Sequence, residues 1–178
     1  MGYYEMTIAG CKRKLPLCEV AENLDIAAFI MFNDVEVTEA AARELLKKCP
    51  EHDIVISAEA KGIPLCYEVA RQGCRKYVVA RKSVKLYMTD VIEYKCKSIT
   101  TAKEQVLYLG GDDAKALEGK RVLIVDDVIS TGESLTAIEE LVRQAGGITV
   151  GKATVLAEGQ AKDRDDIIYL EPLPVFPK

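Results

Sequence analysis

Along this chain, short continuous apolar runs alternate with longer stretches in which apolar residues recur every three or four positions. Asp53–Ser57 ("DIVIS"), Tyr77–Ala80, Gln105–Leu109, Arg121–Val125 ("RVLIV") and Ile148–Ala157 read as buried strands. The segments from Thr38 to about Lys48, Ile63–Arg71 and Glu133–Ala145 carry the helical period. Thr38 is placed to cap the first helix, with Glu39 in its first turn. Pro64 falls in a first turn, where proline is tolerated, and Gly146 with Gly147 ends the third helix. Tyr3–Ala9 and Leu15–Val20 predict two short strands around a basic turn, Cys11–Lys14. Ile167–Phe176 reads as extended, with prolines in it and just beyond it, and "GGDDAKALEGK" as a surface connection. From Lys82 to Thr101 the chain is polar and without a clear period. Strands alternating with helices predict an α/β fold, a central parallel sheet flanked by helices on both faces. With no repeat, low-complexity tract or linker, residues 1–178 read as one domain.

Composition narrows the classes. The 178 residues are 49% apolar and 29% charged, an ordinary globular balance, and a net charge of −4 gives no basic footprint for nucleic acid. The apolar runs are too short to span a bilayer, and no signal peptide follows Met1, so a cytoplasmic protein without a membrane partner is expected. The six cysteines form no C-x-x-C pair and read as reduced thiols. His52, the single histidine, stands between Glu51 and Asp53 with no cysteine pair nearby. It reads as a surface residue, and a zinc site is not expected.

The candidate chemistry lies in "VLIVDDVISTGES", Val122–Ser134. A buried run leads to Asp126 and Asp127, then to Ser130, Thr131, Gly132, Glu133 and Ser134 and a helix. In open α/β sheets ligands bind beyond the carboxyl ends of the strands. Backbone N–H groups at a helix start, with hydroxyls beside them, form an anion site. Carboxylates that accept from hydroxyl groups, next to a phosphate cradle, suit a sugar phosphate. A Walker B reading needs a Walker A loop, and Gly111–Lys120 has the wrong spacing and no Ser or Thr after its lysine. A receiver domain would carry its acids after the first strand. The plain alternative is a capped helix behind two solvated acids.

The segment resembles the PRPP (5-phosphoribosyl-1-pyrophosphate) signature of the type I phosphoribosyltransferases: a hydrophobic strand, two acids, two variable residues, then a Ser/Thr-rich loop with one glycine. Two other segments agree in order and spacing. Ser57–Leu65 ("SAEAKGIPL") is similar to the family's pyrophosphate loop, with Ala60, Lys61 and Gly62 at its turn. Arg81 and Lys82 match the Arg-Lys pair at the next strand end, and Lys85 begins a segment, about Ser83–Glu104, similar to the family's flexible lid loop. The resemblance covers about Leu15–Glu158. It implies the type I phosphoribosyltransferase fold, with a small hood from about residues 1–32 and 158–178. It also implies a non-proline cis peptide at or beside Ala60-Lys61.

It implies further a reaction of PRPP with a purine base, giving a nucleoside 5′-monophosphate and pyrophosphate. Asp126 and Asp127 would hold the ribose hydroxyls, Ser130–Ser134 the 5′-phosphate, and Lys61, Arg81 and Lys82 the pyrophosphate. Mg²⁺ would arrive with PRPP, with no metal site built by protein alone. Asn23 and Glu158 are the candidates for base contact, and a homodimer is the expected state. Gly159 stands where xanthine enzymes carry a lysine, and the Phe-Arg-Asp segment of adenine enzymes is missing. The base therefore stays open, with adenine ahead. The alternatives are another base, xanthine among them, or a non-catalytic PRPP-sensing regulator.

Overall fold

The computed structural model describes residues 2–97 and 104–178. Strands β1 (Tyr3–Ile8) and β2 (Cys11–Ala21) form an antiparallel hairpin in which Tyr3 faces Pro16 and Ile8 faces Cys11. Its turn is Ala9-Gly10, both at positive φ, as a two-residue hairpin of matching twist requires. Cys11–Lys14 is therefore strand and not turn. Lys12 and Lys14 point to solvent, Leu15 is buried, and the polar spacing is the exposed face of a two-sided strand. Strand β3 (Leu24–Ala27), too short to stand out in the pattern, pairs with β2 and with β11 (Val175–Pro177), so both ends of the chain share one four-stranded antiparallel sheet. Tyr4 and Phe176 meet across it, ring centroids 5.1 Å apart.

Helix α1 (Val35–Leu46) begins three residues before the expected cap. Asp34 caps it by accepting from the Val37 N–H, while the Thr38 hydroxyl, one turn in, donates to the Asp34 carbonyl. Asp34 also takes Arg13 from the hairpin, which fixes the helix entry to the small sheet. Strand β4 (Ile54–Ala58), helix α2 (Ile63–Gln72) and strand β5 (Tyr77–Ala80) follow as the pattern predicts.

The main sheet has five strands in the order β10-β9-β8-β4-β5, with β8 (Arg121–Ile129), β9 (Ile148–Glu158) and β10 (Ile168–Leu173), all pairs parallel. Period two splits its residues between two cores. Val55, Leu123 and Val125 pack on Val37, Ala41 and Leu45 of α1 and on Leu65 and Val69 of α2. Ile54, Ile56, Val122 and Ile124 pack on Leu135, Ile138, Leu141 and Val142 of helix α4 (Glu133–Gln144). This is the helix-flanked parallel sheet that the alternation implied. Ile8, Leu15 and Ala27 of the small sheet join the first core.

Two connections are more ordered than their composition suggests. "GGDDAKALEGK" holds helix α3 (Gly111–Leu117), anchored by the fully buried Leu117. Within the polar stretch, β6 (Ile92–Lys97) pairs antiparallel with β7 (Glu104–Leu109), and Ile92, Tyr94 and Cys96 pack toward the α4 core. So the segment about Ser83–Glu104, expected as a lid without regular structure, contains a strand. Its residues 98–103 lie outside the described residues. His52 lies at the surface, partly covered, with its Nδ1 2.9 Å from the Pro50 carbonyl. Among the described residues no helix is long and apolar enough to cross a membrane.

Candidate active site

Strand β8 does not stop before the acids. It runs through Asp126 and Asp127 to Ile129, with Asp126 opposite Thr154 and Ile129 opposite Ala157. The acids are thus held by the sheet itself and not by a loop. Asp127 is 3% exposed, and its N–H donates to Asp126 Oδ1 at 2.9 Å. Burial, then the neighbouring Asp127 carboxylate, push the Asp126 carboxyl well above the ordinary carboxylate range, and the Lys61 ammonium partly offsets this.

After Ile129 the chain turns through exposed Ser130 and Thr131 to Gly132, at φ 81°, the left-handed region that glycine enters freely. Helix α4 then starts with no side-chain cap, so backbone donors of its first turn face the loop. A cleft of about 220 Å³ opens there, lined by Asp126, Ser130, Thr131 and Ser134 and by Gln105 from β7. Gly132 has a second constraint. A Cβ at this position would fall 2.3 Å from Nη1 of Arg164, so the space is already taken.

The second loop leaves β4 beside β8. Its Glu59–Ala60 peptide is cis, next to the position the resemblance implied. Lys61 is half exposed and reaches across to the acid pair, its Nζ 3.3 Å from Asp127 Oδ2. That oxygen is buried and accepts no hydrogen bond. Gly62 opens α2 with an ordinary φ of −78°, so space and not backbone selects glycine. A Cβ there would lie 2.3 Å from Ser57 Oγ and 2.9 Å from Asp126 Oδ1. The loop after β4 therefore meets the acid-bearing end of β8 through Lys61–Asp127 and Gly62–Asp126.

At the end of β5 the Arg81 side chain and the Lys82 backbone are already engaged, while the Lys82 side chain is exposed. The Arg81 guanidinium lies 3.3 Å from Glu59 Oε2 and donates to the Tyr87 hydroxyl, and the Lys82 N–H donates to Glu59 at 2.9 Å. These donors hold the Glu59 carboxyl below its usual range. Arg81 also exchanges both backbone hydrogen bonds with Tyr108 of β7. Lys85 donates to the Ser83 hydroxyl. Glu59 was not singled out from the sequence. Its signal was an acid within a loop of small residues, in a site otherwise read for cations.

Glu158 ends β9 next to β8. It is half buried and its carboxyl is pushed up by burial, with Lys61 acting in the opposite direction, so it sits within the field of the same lysine. Asn23 is exposed in the β2–β3 turn, where its carbonyl accepts from the Lys178 N–H. Among the described residues no hydrogen bond or ion pair joins Asn23 to the acid pair. None of the described His, Cys, Asp and Glu residues form a cluster of three able to cage a metal.

Comparison with known proteins agrees with this geometry. Residues 31–174 match the family described as "Phosphoribosyl transferase domain". An adenine phosphoribosyltransferase from Petrotoga mobilis is 33% identical over 129 residues, 72% of this chain and 70% of that protein. A hypoxanthine/guanine phosphoribosyltransferase from Methanococcus voltae is 31% identical over 134 residues, 75% of this chain and 68% of that protein. In fold, the chain is similar to the crystal structure of an adenine phosphoribosyltransferase from Thermoanaerobacter pseudethanolicus, with a TM-score of 0.74, 22% identity, and coverage of 89% of this chain and 95% of that one.

Proposed function

The chain belongs to the phosphoribosyl transferase family, and we propose that it is a purine phosphoribosyltransferase, adenine being its preferred base. The observation that carries this reading is the acid pair near the end of β8, which the Lys61 loop meets from β4 and from which the strand runs on into the phosphate loop. The relatives named above, one acting on adenine and one on hypoxanthine and guanine, support a purine as acceptor.

In the proposed reaction the bond from the anomeric carbon to pyrophosphate breaks as the purine nitrogen bonds to that carbon. The ring passes through oxocarbenium character, as in glycoside cleavage. Catalysis is then chiefly the management of charge at two ends. Ser130, Thr131, Ser134 and the open N–H groups of α4 take the 5′-phosphate. Asp126 and Asp127 hold the ribose hydroxyls, and the pair as a unit lends negative charge under the cationic ring. Lys61 neutralises pyrophosphate as it leaves, joined by Arg81 once Glu59 yields it and by the exposed Lys82. Glu158 is placed to accept from an amino group on the base, which favours adenine over an anionic xanthine. Asn23 would reach the base only if the β2–β3 turn closes over it.

Magnesium fits as an ion carried by the phosphates. Asp127 Oδ2, buried without a hydrogen bond and 3.3 Å from Lys61 Nζ, is a hard oxygen that would be available to such an ion once Lys61 turns to the pyrophosphate. It would supply neutralisation of the departing oxygens. A homodimer is supported by the exposed apolar Phe32, Val35 and Tyr67 around an apolar groove between α1 and α2. All six cysteines are free, which suits a reducing cytoplasm.

Steady-state kinetics with PRPP and adenine, xanthine, hypoxanthine and guanine test the reading. The expected result is turnover with the highest kcat/KM for adenine. Preference for xanthine would transfer the base role to a cation such as Lys162. Absence of turnover with all four, despite PRPP binding, would leave a sensor.

A further inference from the structure

From Val122 to Val142 the sequence has no lysine or arginine, while it has five acids: Asp126, Asp127, Glu133, Glu139 and Glu140. The phosphate loop and the parts of β8 and α4 next to it thus bring no cation of their own; Arg121 and Arg143 stand at the far ends of the strand and the helix. A helix N-terminus contributes only about half a charge. Yet a cation does stand at the loop, and it comes from thirty-two residues beyond Gly132 in the chain.

Arg164 follows the short 3₁₀ turn Gly159–Asp163 at the end of β9, the strand beside β8. Its Nε and Nη2 form a two-pronged pair with Asp166, at 2.8 and 2.7 Å. That fork leaves Nη1 as the unused arm, and Nη1 is the atom that fills the Cβ space of Gly132. Asp166 in turn takes Lys152 at 2.8 Å, and Lys152 reaches Glu139 on α4 at 3.2 Å. The chain of contacts runs from α4 through Lys152, Asp166 and Arg164 back to the glycine that starts α4. The guanidinium is therefore fixed in place and orientation before any ligand arrives, so binding requires little ordering of that side chain.

We propose that Arg164 is a positioning and charge-supplying residue of the 5′-phosphate loop, aimed by Asp166 and Lys152. This inference rests on the proposed use of that loop for the 5′-phosphate of PRPP. Arg164 backs Gly132, holds the loop in its left-handed turn, and places the free arm of a guanidinium, paired through Nε and Nη2 with Asp166, behind an anion loop that has no cation of its own. Its effect is directed to the phosphate end and not to the pyrophosphate end, where Lys61, Arg81 and Lys82 act.

The test is calorimetric titration of the full chain with ribose 5-phosphate and, separately, with magnesium pyrophosphate, for wild type, Arg164→Gln, Arg164→Lys and Asp166→Asn. The expected result for Arg164→Gln is roughly tenfold weaker ribose 5-phosphate binding, the scale of one charge-assisted interaction. Pyrophosphate binding should stay within about twofold. Arg164→Lys should recover part of the loss, and Asp166→Asn should show a smaller loss of the same kind. In steady state the PRPP KM should rise roughly tenfold in Arg164→Gln with kcat little changed. Equal losses for both ligands would show a merely structural strut and overturn the inference, as would unchanged ribose 5-phosphate affinity. If Arg164→Gln does not fold, Asp166→Asn and Arg164→Lys decide on the same two ligands. Wild-type protein that binds neither ribose 5-phosphate nor PRPP would instead overturn the proposed function.

Discussion

The two loops that meet at the acid pair solve anion binding in opposite ways. The loop after β8 relies on backbone: a left-handed glycine, an uncapped helix start and small hydroxyls, with one rigid guanidinium behind it. The loop after β4 relies on side-chain charge: Lys61, Arg81 and Lys82, each held by a carboxylate or a hydroxyl or left exposed. A group that stays bound throughout the reaction suits a preformed cradle, whose donors need no rearrangement. A group that must depart suits mobile cations, whose partners Glu59 and Asp127 can take them back. The difference between the loops is thus the difference between the retained and the leaving phosphate.

The largest test removes what the two loops share. Asp126→Asn with Asp127→Asn should lower turnover on the order of a thousandfold or more, while circular dichroism and cooperative unfolding stay close to wild type. Turnover within tenfold of wild type would sever the acid pair from the chemistry. Lys61→Ala comes next. It should lower kcat on the order of a hundredfold and weaken pyrophosphate binding, while ribose 5-phosphate binding is held. An equal loss for both fragments would erase the division of labour between the loops.

Gly62→Ala probes their contact. Its backbone accepts alanine, but the new methyl would lie within 2.9 Å of Asp126 Oδ1 and closer still to Ser57 Oγ. Overpacking of this kind costs about 1–3 kcal/mol. The expected outcome is roughly a tenfold fall in kcat/KM with a lowered melting temperature, and a neutral variant would mean that the loops move independently.

The smallest expected effect is on stability. The folded protein holds the Asp126 proton to higher pH than the unfolded chain does, so the native state binds more protons as pH rises past the ordinary carboxylate range. Over that window native stability falls with increasing pH. Asp126→Asn removes the titration. Its stability advantage over wild type should grow from pH 5 to pH 8 by about 1 kcal/mol or more, the worth of a one-unit shift. Chemical denaturation at the two pH values measures it; a constant difference would show that burial does not raise this carboxyl.

What could be read from sequence follows the same division. The β8 loop is encoded locally: a buried run, two acids and a hydroxyl-rich turn lie in thirteen consecutive residues, so both fold position and chemistry were legible. Strands β4, β5, β8 and β9 of the main sheet were legible as apolar runs, most clearly β4 and β8, which are buried on both faces, whereas β10 at the sheet edge, with Glu171 and Pro172, read only as extended. The hood was less so. Cys11–Lys14 looked like a turn because this part of β2 wears charge on its solvent face. Thr38 looked like the cap although Asp34, four positions earlier and itself a strong capping residue, takes the role through the Val37 N–H. Leu117 turned a polar connection into α3 through a single buried side chain. Glu59 and Arg164 were missed for one reason: each acts on a residue brought to it by the sheet, at separations of 22 and 32 positions, which no local pattern can show.

The account stands or falls on both loops gripping one molecule. Titration calorimetry with Mg²⁺ present, comparing PRPP with ribose 5-phosphate and with pyrophosphate, measures this directly. If the phosphate cradle and the cation loop act together, PRPP binds at least a hundredfold more tightly than either fragment, since the second contact becomes intramolecular. PRPP affinity no greater than that of pyrophosphate alone would contradict it.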